Sequence, residues 1–136
     1  MSPDFLRITP ILRIFDERKA REFYLDYLGF NLEWEHRFEE DSPLYMHISL
    51  GDIVLHLSEP HGDACPGSRI FIHMHGIEEY HQKLSAQNYK YFRPEIEQAF
   101  YGAMCMEVTD PFGNRLSFNE LPRSKPDGAS SIPPQS

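Results

Sequence analysis

Cysteine is scarce in this chain: Cys65 and Cys105 are the only two in 136 residues, far apart and in no CxxC pair. That spacing excludes a zinc knuckle and a disulfide framework. Cys105, alternating with Met104 and Met106, is expected as a small buried apolar residue. Cys65, beside Pro66 and Gly67, is expected as an exposed loop thiol. Positive charge is also short, with 13 Lys and Arg against 21 Asp and Glu, for a net charge of −8. Such a balance repels phosphate backbones, so nucleic acid is not an expected partner, whereas a cationic small molecule would be attracted. The same acidity also serves plain solubility. No apolar run approaches the roughly 18 residues of a membrane span, and the opening Met-Ser-Pro-Asp lacks the basic and apolar regions of a signal peptide. The expectation is a cytoplasmic protein with no membrane partner. No GxGxxG, phosphate loop, Ser/His/Asp or Cys/His arrangement is legible.

What is present is a repeat. Residues 108–120 read as strand, Asp-Pro-Phe-Gly-Asn turn, strand. About sixty residues earlier, Met46–Leu50, Gly51-Asp52 and Ile53–Leu57 do the same. Ahead of the first hairpin, Ile8–Phe15 reads as a strand and Asp16 as a helix N-cap. The helix that follows is expected over Lys19–Leu28, with Ala20, Phe23, Tyr24, Tyr27 and Leu28 as its apolar stripe and Gly29 as its C-cap. Phe30–Phe38 alternates, with Trp34, His36 and Phe38 on one face. Ahead of the second hairpin come a strand over Arg69–His75, a helix over Ile77–Gln87 and a short strand over Tyr89–Phe92. The fold class is therefore α+β: two strand-helix-three-strand modules at 1–58 and 68–120, a linker at 59–67, and a Pro- and Ser-rich tail at 121–136 expected to be disordered.

The order of these elements, the Phe-Tyr…Leu-Gly-Phe end of the first helix and the final Asp-Pro-Phe-Gly-Asn-Arg-Leu hairpin resemble the vicinal oxygen chelate superfamily. That group includes glyoxalase I, extradiol dioxygenases, and fosfomycin- and bleomycin-resistance proteins. The resemblance covers about residues 7–120. It implies two βαβββ modules with curved sheets side by side as a cupped mixed sheet, and a homodimer whose crevices draw on both chains. Enzymes of the superfamily hold a divalent metal through His, Glu or Gln on the first and last strands of the modules. The matching positions here are Thr9, His56, Arg69 and Ser117, of which only His56 ligates well. That departure points to the metal-free bleomycin-resistance branch, whose wording Pro10-Ile-Leu-Arg-Ile-Phe-Asp and Gly-Asp-Ile-Val-Leu-His-Leu-Ser resembles. By resemblance, such proteins trap a bulky cationic glycopeptide without chemistry, so no cofactor is expected and the reading leans away from an enzyme. The alternative is a metal-dependent lyase, isomerase or dioxygenase.

Several side chains are candidates for a site. A two-residue turn at Gly51-Asp52 places His47 opposite His56 as a non-hydrogen-bonded pair, where side chains approach most closely. Two imidazoles there can hold a metal, sense pH, grip a ligand, or simply line a wall bonded to Tyr or backbone. Trp34 and Phe38, with Tyr45 nearby, can stack a planar or cationic ligand or fill the core. Tyr101, in the loop before the last hairpin, is a further pocket candidate by resemblance. His73 and His75 share a strand face at metal-compatible spacing but lack a converging carboxylate. The expected ligand-binding set is Trp34, Phe38, Tyr45, His47, His56 and Tyr101; any metal would fall to His56 with His47.

Overall fold

The computed structural model describes residues 2–60, 62–87, 89, 94–99 and 102–122. The chain forms two compact units, residues 1–68 with 110–114, and 69–109 with 115–136.

In the first unit, β1 (Ile11–Arg13), β2 (Asn31–His36), β3 (Tyr45–Leu50) and β4 (Ile53–Ser58) form one sheet in the order β1-β4-β3-β2. β1 runs parallel to β4 and the other pairs are antiparallel. The helix between β1 and β2 carries the chain from one edge of the sheet to the other, and β2, β3 and β4 then return by antiparallel steps until β4 lies beside β1. Apolar alternation then separates the two faces. Leu12, Met46, Ile48, Leu55 and Leu57 are buried with Phe23, Tyr24, Tyr27 and Leu28 from the helix. At about 1.5–3 kcal/mol for each large apolar side chain, that layer dominates the stability of the unit.

Several elements depart from the sequence expectation. β1 begins at Ile11 rather than Ile8, because Pro10 has no N–H for the ladder; its carbonyl still accepts from the His56 amide at 2.9 Å. Asp16 does cap the helix, its carboxylate accepting from the Lys19 amide at 3.0 Å. The helix is α1 (Glu17–Ala20) followed by a π-helical stretch, Arg21–Tyr27. There the Leu28 amide reaches five residues back to the Phe23 carbonyl at 2.9 Å. Gly29, at φ 92°, then lets the Phe30 amide reach the Tyr24 carbonyl. β2 stops at His36, and a bulge between Leu32 and Trp34 makes Glu33 an extra residue.

The second unit repeats the order. β5 (Arg69–His73), α2 (Ile77–Ala86), β6 (Glu97–Gln98), β7 (Met104–Thr109) and β8 (Arg115–Glu120) give a sheet β5-β8-β7-β6 with β5 and β8 parallel. Ile72, Ile77, Leu84, Met106, Val108, Leu116 and Phe118 make its core. A short strand lies at Glu97–Gln98; of the strand expected over Tyr89–Phe92, residues 90–92 lie outside the described ones, as does the expected tail from 123 onward. β5 ends at His73, so His75 leaves the strand face it was expected to share, and its ring stands 3.8 Å from the Glu120 carboxylate. Cys65 is exposed as expected; Cys105 is only half-buried, its thiol donating to the Glu97 carbonyl at 3.5 Å.

The Asp-Pro-Phe-Gly-Asn turn, residues 110–114, belongs to the first unit. Both its polar side chains are buried. Asp110 accepts from the Tyr24 hydroxyl at 2.6 Å and from the Phe112 and Asn114 amides at 2.8 Å each. The Asn114 side-chain amide donates to the Arg13 carbonyl at 2.8 Å and to Asp110 at 2.9 Å, while its oxygen accepts from the Ser68 amide. Pro111 fits because its position needs no donor, and Gly113 takes φ 93°. Burial, and then the Asp110 charge, push the Tyr24 phenol well above its ordinary pKa.

Candidate ligand-binding site

The sheet of the first unit has a second face, opposite the helix. Alternation along β3 sends Tyr45 and His47 there while Met46 and Ile48 enter the core. The two-residue turn makes His47 the partner of His56, as its length requires. The bulge at Glu33 sets Trp34 opposite His47, although Leu32, two residues earlier, pairs with buried Ile48.

These four side chains make one cluster. The Trp34 indole stacks on Tyr45 at 6.1 Å and 15°, and its centroid lies 5.1 Å from His47 and 5.7 Å from His56. The Tyr45 hydroxyl is 2.6 Å from His56 Nδ1, and His56 Nε2 is 3.0 Å from His47 Nδ1. A continuous chain of two hydrogen bonds thus joins a phenol and two imidazoles. The desolvation of partial burial, and then the neighbouring His47, hold the His56 pKa below the ordinary histidine value. Burial, and then the charge of Asp63, raise that of Tyr45. Trp34 is 47% exposed, so one side of the cluster is open.

The remaining candidates fall elsewhere. Phe38 lies beyond the end of β2, 88% exposed, its ring 4.8 Å from His36 and outside the cluster. Tyr101 lies outside the described residues. The His73 ring lies 4.9 Å from that of Phe71. Asp63 was missed, because it sits in a segment whose composition reads as linker; its carboxylate accepts from the Ser58 hydroxyl at 2.7 Å. In the second unit, the corresponding face carries a cleft of about 320 Å³ lined by Arg69, Glu95, Glu97, Cys105, Glu107 and Ser117. There Arg69 is bonded to Glu107 at 2.9 Å.

The sequence profile described as "Glyoxalase superfamily protein" matches residues 3–125. The chain belongs to the glyoxalase superfamily. Solved structures agree on the vicinal oxygen chelate fold. A bleomycin-binding protein complexed with bleomycin superposes with TM-score 0.63 at 20% identity, over 87% of this chain and 100% of that one. An antibiotic-binding protein, TnmS3 from Streptomyces sp. CB03234, gives 0.65 at 16%, over 88% and 98%. A lactoylglutathione lyase from Agrobacterium tumefaciens gives 0.63 at 17%, over 84% and 92%. No curated protein matches the sequence.

A divalent metal is the group this superfamily implies, and the residues present do not suit it. Both His56 ring nitrogens already face hydrogen-bond partners, Arg69 brings a permanent cation bonded to Glu107, and Ser117 Oγ is engaged by the Asn119 amide at 3.1 Å. Among the described residues, no three His, Cys, Asp or Glu side chains converge as a metal site.

Proposed function

We propose that this glyoxalase-superfamily protein binds an amphipathic, cationic small molecule and withholds it from its target without chemical change, a bleomycin-type glycopeptide being the candidate. The observation that carries this reading is the Trp34–Tyr45–His47–His56 cluster, an open aromatic plate edged by hydrogen-bonding imidazoles. An exposed indole face attracts flat rings and cations, and a few fixed polar groups beside it orient what binds. The net charge of −8 favours a cation at long range. The fold shared with a bleomycin-binding protein supports the ligand class. The proposal includes a cytoplasmic homodimer, each crevice completed by the partner chain.

Trp34 is the sole tryptophan of the chain, so its emission reports on the cluster directly. Titration with metal-free bleomycin should change that emission saturably, with matching heat in calorimetry. Replacing Trp34 with Leu should weaken the calorimetric affinity by about 5- to 150-fold, as loss of a stacked ring costs about 1–3 kcal/mol by analogy with base stacking. Neither heat nor an emission change at millimolar bleomycin would reject the antibiotic reading.

A further inference from the structure

The polar edge of the cluster selects the kind of group it accepts. A neutral imidazole carries one N–H and one lone pair. The two bonds joining Tyr45, His56 and His47 must therefore run in the same direction. In one direction, Tyr45 donates to His56 Nδ1, His56 Nε2–H donates to His47 Nδ1, and His47 turns an Nε2–H outward. In the other, His47 Nδ1–H donates to His56 Nε2, His56 Nδ1–H donates to the Tyr45 oxygen, and His47 turns a lone pair outward. The outer end of the chain is a donor or an acceptor according to where the Tyr45 proton points.

The charge at the Tyr45 end favours the second direction. Ser58 is the cross-strand partner of Tyr45 and its hydroxyl donates to Asp63, so a negative charge lies on the phenol side of the chain and favours a phenolic proton turned away from His56. Arg13, whose strand position pairs with Ser58, has its guanidinium engaged by the Glu59 and Pro60 carbonyls beneath the Phe15 ring. Glu33, the extra residue of β2, is bonded to Ser49, two residues from His47, so its negative charge lies at the outer end of the chain, where it attracts a cation rather than setting the direction of the two bonds. His47 Nε2 has no hydrogen-bond partner among the described residues.

We propose that His47 Nε2 is the acceptor of the site, taking the N–H of an ammonium-like group whose adjoining ring or charge rests on Trp34. The inference depends on the cluster being a ligand site and commits that site to cationic donors, against anions and neutral acceptors.

Two measurements test it. Nitrogen-15 NMR of the histidine rings near pH 8, above the ordinary histidine range, should show both His47 and His56 as Nδ1–H tautomers. Asp63→Asn, which keeps an oxygen for Ser58, should shift both toward Nε2–H. By Trp34 emission, phenethylammonium should bind about tenfold more tightly than 2-phenylethanol, the difference one charge-assisted hydrogen bond makes. Phenylacetate should bind more weakly than either. Nε2–H tautomers in the wild type, or a preference for phenylacetate, would overturn the inference even if bleomycin binds. Nδ1–H tautomers and the phenethylammonium preference, with no bleomycin binding, would uphold it and reject only the antibiotic.

Discussion

Replacing Asp110 with Ala should destabilise the protein by about 3 kcal/mol, and the structure shows where that loss arises. Four donors end on this carboxylate: the Tyr24 hydroxyl, the Phe112 and Asn114 amides and the Asn114 side-chain amide. Phe112 is half-exposed and can be hydrated, and the Asn114 side chain keeps the Arg13 carbonyl. That leaves the Tyr24 hydroxyl and the Asn114 amide, both buried, without an acceptor. At about 1–3 kcal/mol each, they give roughly 2–6 kcal/mol, reduced because the buried carboxylate's own desolvation cost disappears with it. Urea unfolding followed by circular dichroism gives the total. A double-mutant cycle of Tyr24→Phe and Asp110→Asn should return a coupling of about 1–2 kcal/mol. A loss below about 1 kcal/mol for Asp110→Ala would show that the turn is only a connector and refute the account.

Three further outcomes follow from the same geometry. The folded-state pKa of His56 lies below the unfolded value, so the unfolded chain binds more protons, and this contribution to stability is lost as pH falls below about 6.5. The drop in urea midpoint from about pH 7.5 to 5.5 should accordingly be smaller in His56→Gln than in the wild type; an equal drop would refute the assignment. Protein purified without a histidine tag should carry well under one divalent metal per chain by mass spectrometry, and stoichiometric Zn, Mn, Ni or Fe lost on His56→Ala would overturn the sequestration reading. Gly29→Ala, forced to φ 92°, should cost about 1 kcal/mol or more in thermal or urea unfolding.

Features whose physics is local were legible in the sequence. The two-residue turn at Gly51-Asp52 dictates the β3–β4 register, so the meeting of His47 and His56 could be counted from it. The Asp16 cap is a one-turn interaction and was equally visible. The π-helical stretch was not, because an apolar stripe over Phe23, Tyr24, Tyr27 and Leu28 fits a turn of either width. The bulge at Glu33 has no compositional mark: a glutamate in an alternating run looks like any outward-facing residue. Asp110 was recognised as part of a turn, but its bond to Tyr24 spans 86 positions and leaves no trace in either segment. Asp63 stayed hidden for the opposite reason, since Pro- and Gly-rich surroundings make any acidic residue look like solvent-facing punctuation.

The bulge in β2 gives the strand two reading frames. Up to Leu32 the frame is the one the core requires; from Trp34 onward it is the one that serves the open face. Glu33 is the splice. Deleting it would bring Leu32 and Trp34 into direct alternation and leave both on their present faces. A protein engineer could therefore exchange the segment from Trp34 to His36 as a cassette, giving the plate a new ring or charge while the hydrophobic packing upstream keeps its frame.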